Sequence, residues 1–428
     1  MKIAIAGYGR EGMASYRYFS RLGHDLTIVD ERDTVEGLPA GTKAILGTGA
    51  FGKLQGFDMV IRTAGLAPRK ITTDGKMWSV TNEFFAQCPA PIIGVTGSKG
   101  KGTTASLIAS ILQAAGKTTH LVGNIGLPAL DELPSITADD IVVYELSSFQ
   151  LWDIEKSPRV AVVLMIEPDH LDVHKSMEEY VAAKGNIVRF QAEQDRVIFN
   201  NNNAYAQSIA HLAKGEKVGY QTLEAAHVQD GFFWYGGQKL CPVESLKLPG
   251  IHNQDNACAA IGAAWGWVQD GEAIGRGLSA FTGLPHRLKF ITDVNGVSYY
   301  DDSIATTPGS AIAAVRAFEQ PKVLILGGSY KGADFTELAE VLSRAAIRSI
   351  ILIGDEAPRI AAALDREEIV HEQLGVEVTM DQVVHRAAEV AQPGDAVILS
   401  PACASFGMFK NYADRGDKFI AAARQLTL

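Results

Sequence analysis

The sequence predicts an α/β protein with mainly parallel sheets, laid out in three sections. Apolar runs of strand length alternate with helical periodicity through most of the 428 residues, the pattern left by strand–crossover helix–strand units. Three sections also open with their own strand–loop–helix signatures. These are "KIAIAGYGREG", "PIIGVTGSKGKG", and the stretch after "GLPHR" that contains "KVLILGGSYKGADF", "SIILIGD" and "DAVILSPACASF". The length exceeds one ordinary core, and boundaries near residues 88 and 284 give sections 1–88, 89–283 and 284–428.

Hydrophobic residues at 47%, charged residues at 21% and a formal net charge of −10 are the balance of a globular protein. A main partner that is nucleic acid or an anionic membrane would reward a basic surface, so neither is expected, while an anionic substrate can still be met by local cations. No run approaches a membrane span, and the amino-terminal residues lack the long apolar stretch and cleavage site of a signal peptide. The cysteines, Cys88, Cys241, Cys258 and Cys403, form no C-x-x-C pair, so neither a zinc site nor a disulfide framework is indicated. A cytoplasmic monomer is expected.

In the first section Gly7, Gly9 and Gly12, with Arg10 and Glu11 between them, precede a second strand, "LTIVD", that ends in Asp30. The glycines permit a tight turn and close approach to a phosphate, and a carboxylate at that strand end can reach a ribose or base. A nicotinamide site, another nucleotide site and glycines that serve packing alone all fit this pattern.

The second section places Gly97, Ser98, Lys99, Gly100, Lys101 and Gly102 between the strand "PIIGV" and the helix "TASLIASILQAAG". Amides at a helix N-terminus together with a lysine suit a polyphosphate. The loop departs from the Walker A pattern, for Val95 stands at its first glycine and Gly102 follows Lys101. Glycine cannot ligate a metal, so Thr103 is the first candidate hydroxyl and Thr104 the second. "IVVYELSSFQL" ends a strand at Glu145, a position from which a carboxylate can hold magnesium. Asp169, His170, Asp172 and His174 follow the run "VAVVLMI", as metal ligands or as turn and capping residues. In "SMEEYVAAKGNIVRF" the inward stripe is Met177, Tyr180, Val181, Lys184, Ile187 and Val188. Lys184 thus either snorkels out of an apolar face or is buried there with a lowered pKa.

Together the segments resemble the Mur ligase family, and its glutamate-adding member most of all. The resemblance rests on "TGSKGKGTT", "GNIGLP", "ELSSFQL", "PDHLDVH", "AAK", "GIHNQDNACAA", "GLPHR", "DDSIATTP", "LGGSYKGADF" and "LSPACASFGMFKNYADRGDKF", in family order over nearly the whole chain. It implies an N-terminal Rossmann-like domain that binds UDP through Gly7, Gly9, Arg10, Glu11 and Asp30, a central P-loop ATPase domain, and a C-terminal Rossmann-like domain for the incoming amino acid. It implies ATP-dependent amide formation between UDP-N-acetylmuramoyl-L-alanine and glutamate through an acyl phosphate. Lys101 would hold phosphates, Thr103 and Glu145 one Mg²⁺, and His170 a second; Lys184 would be carbamylated by CO₂ and support the metal site. Asn124, Ser147 and Gln150 would meet the muramoyl substrate. Asn256, Arg287 and Asp302 would meet ATP, and Thr306, Lys331, Ser405, Phe406 and Tyr412 the glutamate.

Three positions depart from the glutamate-adding pattern. Lys101-Gly102-Thr103 is similar to folylpolyglutamate synthase, a relative in the same superfamily, so a folylpolyglutamate synthase-like ligase is an alternative. Met165 stands where an asparagine is common. Ile304 in "DDSIATTP" replaces a lysine, and Thr307-Pro308 follows where Asn is usual, which opens the choice between D-glutamate and L-glutamate.

Overall fold

β-Branched runs closed by glycine or a carboxylate become strands, and the helices that follow pack against the sheets. The computed structural model describes residues 1–171, 173–330 and 332–426. The chain divides into two compact units. The first is Met1–Lys247 with Ile251–Phe281, and the second is Leu248–Gly250 with the chain from Thr282 onward. The division expected near 284 falls at Thr282, whereas residue 88 lies between two sheets of one unit.

The first sheet has five parallel strands in the order Lys43–Leu46, Asp25–Asp30, Lys2–Ala6, Met59–Arg62 and Lys76–Ser79. The chain starts in the middle and builds outward both ways, so the end of Lys2–Ala6 is the crevice of the sheet, and Gly7 leaves from it into the helix Arg10–Arg21. Ile3, Ile5, Ile28 and Ile61 face one layer, while Ala4, Ala6, Val29 and Val60 face the other. Burial on both faces is why these strands read as continuous apolar runs.

The central sheet is parallel throughout, in the order Glu216–Tyr220, Arg196–Asn200, Val160–Val163, Ile92–Thr96, Ile141–Glu145 and Thr119–Gly123. The helix Lys101–Ala114 packs against it and is buried on nearly all sides, from Gly102 to Ala109 and again at Ile111 and Leu112. Each large apolar side chain buried in this way contributes about 1.5–3 kcal/mol. Gly116, at φ 75°, ends the helix in the left-handed conformation that favours glycine.

Two antiparallel pieces modify the expected parallel layout. One is a three-stranded meander, Ala226–Gln229, Phe232–Tyr235 and Gln238–Pro242. Its turns place Asp230-Gly231 and Gly236-Gly237 at positive φ in succession, the demand of a tight hairpin, and "QDGFFWYGGQ" carries that signal in the sequence. The other is the hairpin Lys289–Val294 and Val297–Asp301, turned by Asn295-Gly296. It begins the six-stranded sheet of the second unit, which continues in parallel through Ala396–Leu399, Lys322–Gly327, Ile347–Ile353 and Glu372–Gly375. All four cysteines are free thiols. Among the described residues no helix is long and apolar enough to cross a membrane.

Candidate active site

Parallel pairing brings the carboxyl ends of three neighbouring strands to one edge of the central sheet. Val95 is in register with Glu145 and Thr96 with Val163, so the glycine loop, Glu145 and the segment after Val163 leave the sheet side by side. Gly100 has φ 82°, and a Cβ there would lie 2.4 Å from Asn256 Oδ1. Only glycine satisfies both constraints. The Ser98 hydroxyl donates to Glu167 O at 2.8 Å, accepts from Glu167 N at 3.0 Å and shares a 2.9 Å hydrogen bond with the Tyr180 hydroxyl. Lys99 pairs with the Glu167 carboxylate at 2.5 Å.

Lys101 Nζ donates to Gly97 O and Ser98 O, both at 2.9 Å, and so lies within the curve of the loop. With Gly102 and Thr103 opening the helix behind it, the ammonium and the amide dipoles point the same positive potential at an incoming phosphate. Thr104 is occupied otherwise, because its hydroxyl donates to Asn256 Oδ1 at 3.3 Å. Asn256 is buried and braces the helix Ile251–Ala264 against the loop.

Lys184 is 1% exposed, in the middle of the helix Met177–Arg189. Its Nζ donates to Gly97 O at 2.8 Å and approaches Thr96 Oγ1 at 3.4 Å, with the Tyr180 ring centroid 4.6 Å away. Burial, and then the charge of Lys101, hold its pKa well below the usual lysine value against the pull of Asp169 and Glu145. The snorkelling alternative is thereby excluded, and the neutral amine becomes the accessible form.

Glu145 is buried at its strand end. His170 adopts φ 54°; its ring lies 5.0 Å from Phe149, and its Nε2 is 3.6 Å from the Asp169 carboxylate. His174 belongs to the core instead. It is 1% exposed, hydrogen bonded through Nε2 to Ser148 Oγ at 3.0 Å and stacked on Phe149 and Trp152, and burial lowers its pKa. Asp172 lies outside the described residues. Among the described residues no group of three or more His, Cys, Asp or Glu side chains is placed to hold a metal by itself. What the edge offers is one buried carboxylate, the Thr103 hydroxyl, His170 and the Lys184 amine. Its oxygen donors, the Glu145 carboxylate and the Thr103 hydroxyl, are of the kind Mg²⁺ takes, an ion that keeps several waters and substrate phosphates as ligands rather than an all-protein cage, whereas the Lys184 amine as it stands is no such donor.

A second network joins this edge to the first sheet. Gln150 Oε1 accepts from Ser147 N at 2.9 Å and Ser147 Oγ at 3.0 Å and is approached by Asn124 Nδ2 at 3.5 Å, while Gln150 Nε2 donates to Glu11 Oε1 at 3.0 Å. Glu11 Oε2 accepts from Ala64 N at 2.8 Å, and Arg10 donates to Gly126 O at 3.4 Å. Four of the expected substrate residues, Glu11, Asn124, Ser147 and Gln150, therefore meet in one network, and Arg10 reaches Gly126 separately. Asp30 serves the loop from below: its carboxylate accepts from Tyr8 N at 2.9 Å and from Arg32 Nε and Nη2 at 2.8 Å each. These bonds, the Arg32 pair first, lower its pKa to about 2. Arg32, more than half exposed, is the cation of this corner.

In the second unit, Asp302 Oδ1 accepts from Leu288 N at 3.1 Å and Oδ2 from Ser400 Oγ at 2.7 Å, and burial pushes the carboxyl up to about 7 despite Arg287. Arg287 is exposed, Thr306 half-buried and Ser405 buried, while Phe406 and Tyr412 are exposed. Lys331 lies outside the described residues. The frame for these loops is Arg415, which is fully buried. It donates to Ser303 Oγ at 2.9 Å, Ser303 O at 2.8 Å and Cys403 O at 3.1 Å, and Ser303 Oγ donates in turn to Tyr412 O at 2.7 Å. His286 Nδ1 pairs with Asp301 at 2.7 Å. Gly416 makes room for that pair, since a Cβ there would stand 2.1 Å from His286 Nδ1.

Residues 95–264 match the Mur ligase middle domain, and residues 286–403 match the Mur ligase, glutamate ligase domain. A UDP-N-acetylmuramoylalanine–D-glutamate ligase of Acetivibrio thermocellus is 38% identical over 447 residues, covering 98% of this chain and 95% of its own. The chain belongs to the Mur ligase family. Its fold is also that of a UDP-N-acetylmuramate-alanine ligase from Thermotoga maritima, with a TM-score of 0.61 at 18% identity over 99% of both chains. A MurF ligase of the same organism, solved in complex with ADP, has a TM-score of 0.57 at 17% identity over 99% of this chain and 94% of its own.

Several residues that shape this Mur ligase were not singled out from the sequence. Arg62, Phe149, Asp301 and Arg415 act through contacts distant in the chain, while Arg32 acts on its near neighbour Asp30. For Arg415 the signal was present in "RGDKF", which reads as a surface run until its partners at Ser303 and Cys403 are known.

Proposed function

We propose that this Mur ligase joins D-glutamate to UDP-N-acetylmuramoyl-L-alanine at the expense of ATP, in cytoplasmic synthesis of peptidoglycan precursors. The ligase chemistry rests on one observation above the rest. Lys101 and Lys184, from different helices, converge on the Gly97 carbonyl at 2.9 and 2.8 Å. One amine is placed for phosphate, the other is buried and driven towards its neutral form. The glutamate end rests on the near full-length likeness to the Acetivibrio D-glutamate ligase.

On this reading the substrate carboxylate attacks the γ-phosphorus of ATP and ADP leaves, giving an acyl phosphate. The glutamate amine then attacks the acyl carbon, and inorganic phosphate departs from the tetrahedral intermediate. Lys101 and the loop amides hold the phosphates where negative charge accumulates. Neutral Lys184 takes up CO₂, forming an N–C bond and releasing a proton, and becomes an anionic carbamate. Thr103 and Glu145 would hold one Mg²⁺ and His170 a second, with that carbamate supporting the site, and the cations would supply charge neutralisation between two anionic reactants. The first sheet would carry the UDP group with Arg32 at hand, and the second unit the glutamate.

The test is phosphate release from ATP with UDP-N-acetylmuramoyl-L-alanine and each amino acid in turn. Release that depends on D-glutamate is expected; inactivity with every amino acid rejects the assignment. Ile304, where the family pattern has a lysine, favours a second reading in which L-glutamate is the substrate. The same assay with both enantiomers separates the two.

A further inference from the structure

Arg62 ends the strand Met59–Arg62 of the first sheet, and none of its side chain is exposed. Its guanidinium donates to Asp153 through Nε at 2.8 Å and Nη2 at 2.5 Å, to Phe149 O at 3.0 Å, to Leu66 O at 2.9 Å and to Thr63 O at 3.3 Å. Asn82, from the helix Val80–Gln87, grips the same turn: it donates to Asp153 O at 2.8 Å and accepts from Glu155 N at 2.8 Å. Between these anchors and Glu11 on Gln150 lies the helix Ser148–Leu151, four residues long. So short a helix does not hold its own position. The first sheet holds it.

That turn has two working sides. Ser147 and Gln150 enter the network with Asn124 and Glu11, while the Phe149 ring lies 5.0 Å from His170 and 5.3 Å from His174. We propose that Arg62 is a positioning residue for the ligase reaction: by fixing the turn 147–153 it sets the Phe149 ring that backs His170, and so ties the cation end of the phosphate site to the sheet that carries the nucleotide sugar. An arginine serving burial alone needs one carboxylate. This one also spans backbone carbonyls on both sides of the connection, which a lysine cannot reproduce. The proposal rests on the reading of His170 as a cation ligand.

The experiment uses the full chain and four proteins: wild type, Phe149→Leu, Arg62→Lys and Arg62→Met. Mn²⁺ binding in the presence of ADP is followed by electron paramagnetic resonance, without turnover, and KM and kcat for UDP-N-acetylmuramoyl-L-alanine are measured separately. Phe149→Leu is expected to weaken Mn²⁺ binding about tenfold, as loss of a supporting group does, with the KM for the nucleotide sugar within about twofold of wild type. Arg62→Met should weaken Mn²⁺ binding and raise that KM together, and Arg62→Lys, which keeps the charge on Asp153, should recover part of both. If Arg62→Met fails to fold, the other two variants decide. Wild-type Mn²⁺ affinity in both Phe149→Leu and Arg62→Lys overturns the positioning role. A wild type that binds no Mn²⁺ with ADP is a different failure, for it removes the cation reading on which the role depends.

Discussion

Four side chains in this molecule carry protonation or ligand states that their neighbours dictate. Lys184 is held towards the neutral amine by burial, so Lys184→Ala should lower ligase turnover at least about a hundredfold, and a short-chain carboxylic acid that fits the vacated space should restore part of it. Full activity of the variant in bicarbonate-free buffer would contradict the carbamate. Thr103 and Thr104 differ because Thr104 is spent on Asn256. Thr103→Ala should therefore raise the Mg²⁺ concentration needed for half-maximal rate, while Thr104→Ala costs about 1 kcal/mol of stability. The reverse ranking in a Mg²⁺ titration would move the ligand to Thr104. Asp302 holds its proton up to about 7, against 3.8 in the unfolded chain. Between those values the folded chain binds more protons than the unfolded one, so this group takes stability away as pH rises from about 4 to 7. Asp302→Asn should flatten that part of the curve in thermal melts between about pH 4 and 7. An unchanged slope would show that Asp302 is already ionised.

Elements meet at glycines, and two of them in the second unit predict opposite effects. Gly416 lies in the helix Tyr412–Gln425 directly against His286, where an added Cβ would stand 2.1 Å from a ring nitrogen. Gly416→Ala is expected to destabilise by about 1–3 kcal/mol in chemical denaturation. Gly309, in the helix Pro308–Arg316, has nothing within 4 Å of such a Cβ, and Gly309→Ala should stabilise by about 0.5 kcal/mol. Equal effects would mean that the His286–Asp301 contact yields freely. Strands, the glycine loop and the place of Lys184 on an apolar helix face could be read from the chain because they rest on local periodicity and spacing, whereas spacing left snorkelling and burial of that lysine both open. Asn256 beneath Gly100, Arg62 on Asp153 and Arg415 on Ser303 could not, since each joins segments far apart in sequence and periodicity carries no long-range pairing. His174 was open between metal ligand and turn residue for a related reason, and only the Phe149 and Trp152 rings around it identify a core imidazole.

At the scale of the whole chain, cores rather than sheets decide cooperativity. Ile3, Ile28 and Ile61 of the first sheet share one core with Val142, Tyr144 and Val163 of the central sheet, and Phe84 meets Tyr144 edge-on at 5.3 Å. The cores of the second unit are built from other residues, Leu324 and Ile350 on one face of its sheet, Ile325 and Phe419 on the other. Calorimetry should then resolve two transitions. Phe84→Ala, at about 3–5 kcal/mol, should lower one of them and leave the other in place; a single transition that shifts as a whole would show the units to be one cooperative body.

The strand order of the second unit has a consequence for how the chain is made. Ala396–Leu399 comes last in sequence among its strands, yet it sits between Val297–Asp301 and Lys322–Gly327, and the helix that bears Arg415 follows it. During synthesis the hairpin 289–301 and the strands 322–375 are already outside the ribosome with no partner between them. The middle of the sheet arrives after the strands on both sides of it, so this unit cannot fold piece by piece as it emerges. A message truncated between residues 327 and 396 leaves the edges of Val297–Asp301 and Lys322–Gly327 with nothing to close them, and the natural fate of such a product is aggregation or proteolysis.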